Sequence, residues 1–478
     1  MKISLKDIKN FFKKYFLSFI FGMLSGLAFA PLYIFLFVHL SLYYLIIKLS
    51  EHRDNYLKSF LYGISFGFGY FLVQLYWISF SLLVDIKVYF WLLPFAIMLI
   101  PLACSLFFAC GCIGTTFFIR KLKIKNRFLI TTIFSFCFVG FEYLRGLIFP
   151  WSIFSYTVAF SDTLSQIFSI LNIYIFDFIL ILFFSLLFVF FDYKNKKFYF
   201  LKENKYYMIF YFLIVIFVVS YGIIRLKHAE TKKFNLNIRM VQANIPQTLK
   251  WDKEEAENIL DEYIKLSTKD NFDKTDVIIW SESSIPYILT KYSILSKKFD
   301  ILKDKILITG AVRGEFKTGF LNKIWNSFFV FRDNKILDFY DKVILVPFGE
   351  YIPFSKYIPF IKKITAGNID FSKGTGNKTI NIGRIKISPI ICYEIAFPNH
   401  IMNKKDPPDL IVNLTNDGWF GKSSGPYQHL VLAKIRAIEN KTPIIRVSNS
   451  GISAYIDEYG RIIKKSQLDK VETLDLKI

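Results

Sequence analysis

The chain has 478 residues, of which 53% are hydrophobic and 19% aromatic, and it carries a formal charge of +22. That much apolar surface excludes an ordinary soluble enzyme. The basic charge suits nucleic acid or an anionic membrane, but no nucleic-acid motif is present, and in a multispanning chain basic residues collect in the loops that set topology.

In chain order, the apolar residues come first. From Tyr15 to about Arg225 they form long runs separated by short basic punctuation. A spanning helix needs about 20 such residues. Tyr15–Ile47 carries no Lys, Arg, Asp or Glu and holds two short spans broken near Ala30-Pro31. Ser59–Val84, Val88–Ile119, Phe128–Phe141 with its continuation, Ile173–Phe191 and Tyr207–Ile224 bring the expected count to about seven. Val88–Ile119 is too long for one straight helix, and Pro94 and Pro101 predict a bent or re-entrant entry. The start does not read as a cleaved signal peptide, because no small-residue cleavage site follows it.

The loops give an orientation. Lys2, Lys6, Lys9, Lys13 and Lys14 lie before the first span, and Lys48, Arg53 and Lys58 follow the second. Arg120, Lys121, Lys123, Lys125 and Arg127 follow the fourth, and Lys194, Lys196, Lys197, Lys202 and Lys205 follow the sixth. The alternate loops are nearly free of Lys and Arg. Basic loops stay in the cytoplasm, so the N-terminus is expected inside, and an odd number of spans places the rest of the chain outside. In the loop EYLRGLIFPWSIFS, Glu142 and Arg145 are one helical turn apart: either an i,i+3 ion pair or a headgroup contact. Trp151 reads as an interfacial anchor. Asp177 is an ionisable group near a span end, either functional or reaching headgroups.

Residues 1–225 are thus expected to be a membrane domain, and 226–478 a second domain large enough for one core. In the second part, short β-branched runs alternate with helical patterns such as Lys253–Ser267 and Gln428–Glu439. NLNIRMVQANI, DVIIW, KILITGAVRG, SFFVFRD, KISPIICYE, DLIVNLTND, TPIIRVSNSG and SAYIDEYG read as strands. Strand–helix alternation with hairpins predicts an α/β sandwich.

Of the five cysteines, Cys104, Cys110, Cys112 and Cys137 lie in apolar membrane runs and read as small hydrophobes. Only Cys392 belongs to the second part, so it makes no internal disulfide there. It ends a buried-strand pattern, as do Glu282 in IIWSESSIP and Lys342 in DKVILVPFGEYIP. Each residue has a plain alternative: a core thiol, a helix-capping carboxylate, a surface lysine. Together they make a nucleophilic site. A thiol attacks as thiolate and needs a base, for which Glu282 is a candidate. An oxyanion needs donors, for which Lys342 and the Tyr393 amide are candidates. His400 and His429 are the histidines available as bases, neither with a convincing flank. The apolar, proline-broken stretch Val343–Ile364 reads either as a lipid-facing arm or as a core loop.

The Glu–Lys–Cys order resembles the nitrilase, or carbon–nitrogen hydrolase, superfamily. VQANIPQTLKWD, WSESSIP, YDKVILVPFGEYIPF, ICYEIAFP and NLTNDGWFGKSSGPYQHLVLAKIRAIENKTPIIRVSNSGISA, with E-x-L-R-G and FPWS in the first half, resemble its membrane-embedded apolipoprotein N-acyltransferase branch. The resemblance implies a polytopic helical domain plus a nitrilase-type αββα sandwich in the bacterial cytoplasmic (inner) membrane, catalytic domain on the periplasmic face. It implies Cys392 as the nucleophile that carries an acyl chain as a thioester, Glu282 as base and Lys342 as oxyanion partner. Glu350 would assist, Tyr393 and Glu394 would shape the pocket, and Trp251 would lie near the substrates. The implied donor is a phospholipid, typically phosphatidylethanolamine, and the implied acceptor is the α-amine of a diacylglyceryl apolipoprotein. No cofactor or metal is implied. Two departures stand out: Trp280-Ser281-Glu282 replaces the usual Trp-Pro-Glu, and the further membrane span expected after the domain is not found in the residues through LDLKI. The alternatives are a membrane-anchored amidase that hydrolyses its thioester with water and a non-catalytic lipid-binding or transport protein.

Overall fold

The computed structural model describes residues 5–194, 197–353, 355, 363, 365, 367 and 369–478. Of the positions singled out above, Lys2, Lys196 and residues 354, 356–362 and 364 of the apolar stretch lie outside the described residues. The chain divides into two compact units. One is Met1–Ser79 with Tyr89–His228; the other is Ala229–Ile478 with the short segment Phe80–Val88.

The first unit is helical, with its main helices at Leu5–Gly26, Leu36–Glu51, Tyr56–Leu75, Leu93–Lys121, Arg127–Gly146, Ile173–Phe184 and Lys205–Lys227. Among the described residues, four stretches are long and apolar enough to cross a membrane: Tyr56–Leu83, Ile86–Lys121, Arg127–Gly146 and Lys205–Lys227. Ile173–Phe184 is apolar but has only 12 residues. Pro94 sits in the first turn of Leu93–Lys121, where a missing amide costs nothing, and Pro101 is accommodated inside the same helix. Two short helical turns, Ile86–Tyr89 and Phe90–Leu92, precede that helix.

Small residues let these helices touch. A Cβ at Gly22 would come within 1.9 Å of the Phe66 carbonyl oxygen, and one at Gly69 within 2.1 Å of that of Phe19. Gly63 and Gly67, four residues apart, face Ala109 and Ser105 of the Leu93–Lys121 helix. Without a hydrophobic drive between helices in lipid, such close backbone approach is the main source of packing energy. Cys112 packs its sulfur against Gly63, as a small hydrophobe.

Glu142, Arg145 and Asp177 are all buried. Arg145 pairs with Glu142 at 3.2 Å and donates to the carbonyls of Phe149 (2.8 Å) and Trp151 (2.6 Å). Asp177 accepts from the Ser155 amide at 2.6 Å. The Glu142–Arg145 pair is therefore internal and ties down the loop that follows it, instead of facing headgroups. Trp151 is buried against Trp77 and is no exposed interfacial anchor.

The second unit is built on two sheets. A seven-stranded sheet runs Glu472–Lys477, Asn237–Gln242, Val277–Trp280, Ile306–Lys317, Phe320–Arg332, Lys335–Asp341, with Ile285–Leu289 also pairing to Ile306–Lys317. A six-stranded sheet runs Ile462–Lys465, Ala454–Ile456, Ile444–Ser448, Leu410–Thr415, Ile385–Ile391, Ile380–Ile382. Met240, Ile279, Ile308 and Phe328 of the first share one core with Ile387, Val412, Leu414 and Val447 of the second. The helix Ala256–Ser267 buries Ile259, Leu260, Tyr263 and Leu266, a 3–4 spacing, against the outer face of the first sheet. The helix Gly425–Asn440 contacts the strands Ile444–Ser448 and Ala454–Ile456 of the second. The layers are helix, sheet, sheet, helix. The central strands are parallel pairs, buried along their length, which is why they read as continuous β-branched runs instead of alternating ones.

Candidate active site

Three strand ends deliver the chemistry. Ile385–Ile391 is paired in parallel with Leu410–Thr415 up to Ile391, and the chain then turns sharply. Cys392 takes φ +50°, a left-handed conformation that costs a non-glycine residue energy and must be held by its surroundings. The Val277–Trp280 strand ends two residues before Glu282, and Lys335–Asp341 ends one residue before Lys342. Glu282, Lys342, Glu350 and Cys392 are all buried.

Lys342 is the hub. Its Nζ donates to Glu350 Oε1 at 3.0 Å and stands 3.7 Å from Glu282 Oε1. Burial alone lowers a lysine, but the Glu350 and Glu282 carboxylates outweigh it and hold this ammonium above the ordinary lysine range. Asn326 Nδ2 bridges the same two acids, at 2.7 Å from Glu282 Oε1 and 2.9 Å from Glu350 Oε1. Glu350 Oε2 accepts from the Val346 amide at 2.8 Å. Glu282 Oε2 has no hydrogen-bond partner among the described residues. The Cys392 thiol is pushed up to about 12, first by burial and then by the Glu282 charge, with Lys342 and the Thr415 hydroxyl pulling the other way. A carboxylate, an ammonium and a thiol thus act on one another in a region that excludes water.

The other expected residues sort differently. Glu394 points inward: Oε1 accepts from the Tyr340 hydroxyl (2.8 Å) and the Val343 amide (2.7 Å), and Oε2 from the Ile391 amide (2.9 Å). Burial opposes its charge, but His400, the Ile391 amide and the Lys342 charge hold it below the usual carboxylate range. It braces the Cys392 turn against the segment that carries Lys342. Tyr393 is buried, its ring edge-on to Phe397. Trp251 is partly exposed on the stretch after Asn237–Gln242. His400 contacts Tyr340 and Glu394, not the thiol. His429 Nδ1 meets Asp417 at 2.8 Å and its Nε2 meets the Cys392 carbonyl at 3.2 Å, while Arg446 holds Asp417 at 2.7 Å. Burial first, then the Arg446 charge, hold His429 below the usual histidine range.

Asn326, Thr415, Asp417 and Arg446 escape sequence reading. Asn326 left a weak signal, a lone amide inside the strand pattern IWNSFFVF, where asparagine is disfavoured without a partner. Among the described residues, no cluster of His, Cys, Asp or Glu is arranged to hold a metal ion.

Residues 237–478 match the family model described as carbon-nitrogen hydrolase, so the second unit is a domain of that class. Residues 21–187 match the model described as apolipoprotein N-acyltransferase N-terminal domain. The chain is 37% identical to the apolipoprotein N-acyltransferase of Rickettsia prowazekii, over 94% of this chain and 89% of the relative. It is 38% identical to that of Rickettsia typhi, over 96% and 91%. An amidase structure from Nesterenkonia sp. is similar at a TM-score of 0.36 and 14% identity, covering 52% of this chain and 93% of that one. The chain belongs to the apolipoprotein N-acyltransferase family.

Proposed function

We propose that this chain moves an acyl group from a membrane phospholipid, through Cys392, to the α-amine of the S-diacylglyceryl-cysteine that begins an apolipoprotein. The observation that carries the chemistry is the buried Glu282–Lys342–Cys392 group, with one Glu282 oxygen unpartnered among the described residues. Family membership supports the substrates.

Glu282 takes the thiol proton as sulfur attacks the donor's ester carbonyl. Lys342, pinned by two carboxylates, stabilises the oxyanion. The C–O bond breaks, the proton passes from Glu282 to the leaving lysophospholipid oxygen, and a thioester remains. The neutral acceptor amine then attacks the thioester, Glu282 takes its surplus proton, and the thiolate leaves with the proton returned to sulfur. An amide forms and free enzyme is restored. Keeping the acyl chain near the bilayer matters, because each exposed CH₂ costs about 0.8 kcal/mol.

The same reading places the protein in the bacterial cytoplasmic (inner) membrane with about seven spans. The N-terminus lies inside and the 226–478 catalytic domain on the periplasmic face, supported by the alternation of basic loops. Phosphatidylethanolamine is the proposed donor, and Glu350 assists through Lys342.

The test is intact-protein mass spectrometry after incubation with phospholipid alone. An acyl mass on Cys392, removed by hydroxylamine or by a diacylglyceryl lipopeptide, is expected. A folded protein that transfers acyl groups without ever carrying one on Cys392 would overturn the mechanism.

A further inference from the structure

A second lysine lies at this centre. Lys250, next to Trp251, is 2% exposed. Its Nζ donates to the backbone carbonyl of Glu282 at 2.7 Å. That carbonyl begins a strained turn, for Ser283 has φ +49°. The other side of the turn is closed by Gly310, where a Cβ would come within 2.5 Å of the Ser283 nitrogen and 2.7 Å of the Glu282 Cα. The Ser284 amide donates to the Gly310 carbonyl at 2.9 Å. The turn carrying Glu282 is therefore clamped between a strand and the tip of Lys250.

A neutral side chain would serve a carbonyl equally well. Burying an ammonium for that purpose is costly unless its charge is used. The charge balance of the site supplies the use. Glu282 and Glu350 share one ammonium, that of Lys342, which leaves one net negative charge beside the thiol. When Glu282 takes the thiol proton, that charge moves from the carboxylate to sulfur. The groups acting on Lys250 are Glu282 and Cys392, the same two that exchange the proton. The groups that act most strongly on Cys392, after burial, are Glu282, Lys342, Thr415 and Asp417, so the pull between Lys250 and the thiol is weaker than that of Lys342. Burial pulls Lys250 down to about 8, against the pull of both anions.

We propose that Lys250 is a positioning residue of the catalytic centre, a second cation that fixes the Glu282 turn and favours the Cys392 thiolate. This rests on Cys392 being the nucleophile. Lys342 and Lys250 then divide the work: Lys342 offsets one of the two carboxylate charges, and Lys250 offsets the other as it passes from Glu282 to sulfur.

The test reads the thiol directly, in the full chain in detergent, by peptide-resolved mass spectrometry of Cys392 alkylation by iodoacetamide across pH. Lys250→Gln keeps a donor for the Glu282 carbonyl and removes the charge. It is expected to shift the Cys392 titration toward higher pH by about one unit, roughly a tenfold slower alkylation near pH 8. Acyl-enzyme formation should fall by a similar factor, with KM for phospholipid little changed. Lys250→Arg should restore most of both. A wild-type alkylation profile in a folded Lys250→Gln protein would overturn the proposal, as would a Lys250→Arg protein as impaired as Lys250→Gln. A Cys392→Ala protein that still transfers acyl groups would instead break the underlying reading of the nucleophile.

Discussion

Each unit of this protein buries two carboxylates around a central cation, and the two clusters spend that cation's contacts differently. In the first unit, Arg145 binds Glu142 and spends its remaining donors on the Phe149 and Trp151 carbonyls, while Asp177 accepts from Ser155. Those contacts go to the backbone of one loop, and the outcome is a fixed loop. In the second unit, Lys342 binds Glu350 and faces Glu282, while a thiol held at positive φ shares their field. Buried charge alone therefore does not mark a catalytic centre. What distinguishes the second cluster is the thiol proposed as nucleophile, for an acid oxygen without a hydrogen-bond partner among the described residues is found in both, on Glu142 and Asp177 as on Glu282.

The largest effect expected from breaking this contrast is at sulfur. Cys392→Ala should reduce acyl transfer to a lipopeptide by at least about a thousandfold, because the covalent path is gone. Thermal unfolding should be nearly unchanged; retained transfer would end the contrast. Lys342→Met should lower the rate by roughly 10²–10³-fold. It should also destabilise the domain by about 3–5 kcal/mol, since it strands two buried acids. A Lys342→Met protein as active as wild type would remove the oxyanion role.

Arg145→Leu should cost a similar roughly 3–5 kcal/mol, seen as a lower unfolding temperature in detergent. The folded fraction should keep a wild-type Cys392 alkylation profile. An altered profile would mean that the first cluster does more than hold a loop.

The smallest expected effect concerns acid stability. Burial opposes the Asp417 charge, but Arg446 and His429 hold its pKa down, from an ordinary 3.8 to about 2. A depressed folded pKa contributes stability that is full above the unfolded value and is lost as pH falls from about 4 toward 2. That contribution is roughly 2 kcal/mol, and Asp417→Asn should flatten this part of the acid unfolding curve. An unchanged curve would show that Asp417 is not what acid attacks.

Much of this was legible in the residues. Uninterrupted apolar runs predict helices in the first half, and β-branched runs predict the buried parallel strands of the second, since both depend on local period and length. The short edge strands Ile380–Ile382 and Ile462–Lys465 were not legible, because three or four residues paired on the sheet margin carry too little pattern. Glu282, Lys342 and Cys392 stood out because each ends such a run.

The sequence by itself determined the family and put forward the two-part organisation and the acid–amine–thiol set, all of which are written in composition, spacing and motif. Tertiary structure alone decided which groups meet. It turned Glu394 inward as a brace, joined Asn326 to both acids and placed Lys250 on the Glu282 carbonyl. It also buried Glu142, Arg145 and Asp177 in the first unit. The physical reason is range. Hydrogen bonds and ion pairs act over a few ångströms, so partners tens of residues apart in the chain find each other only when the strands are in register.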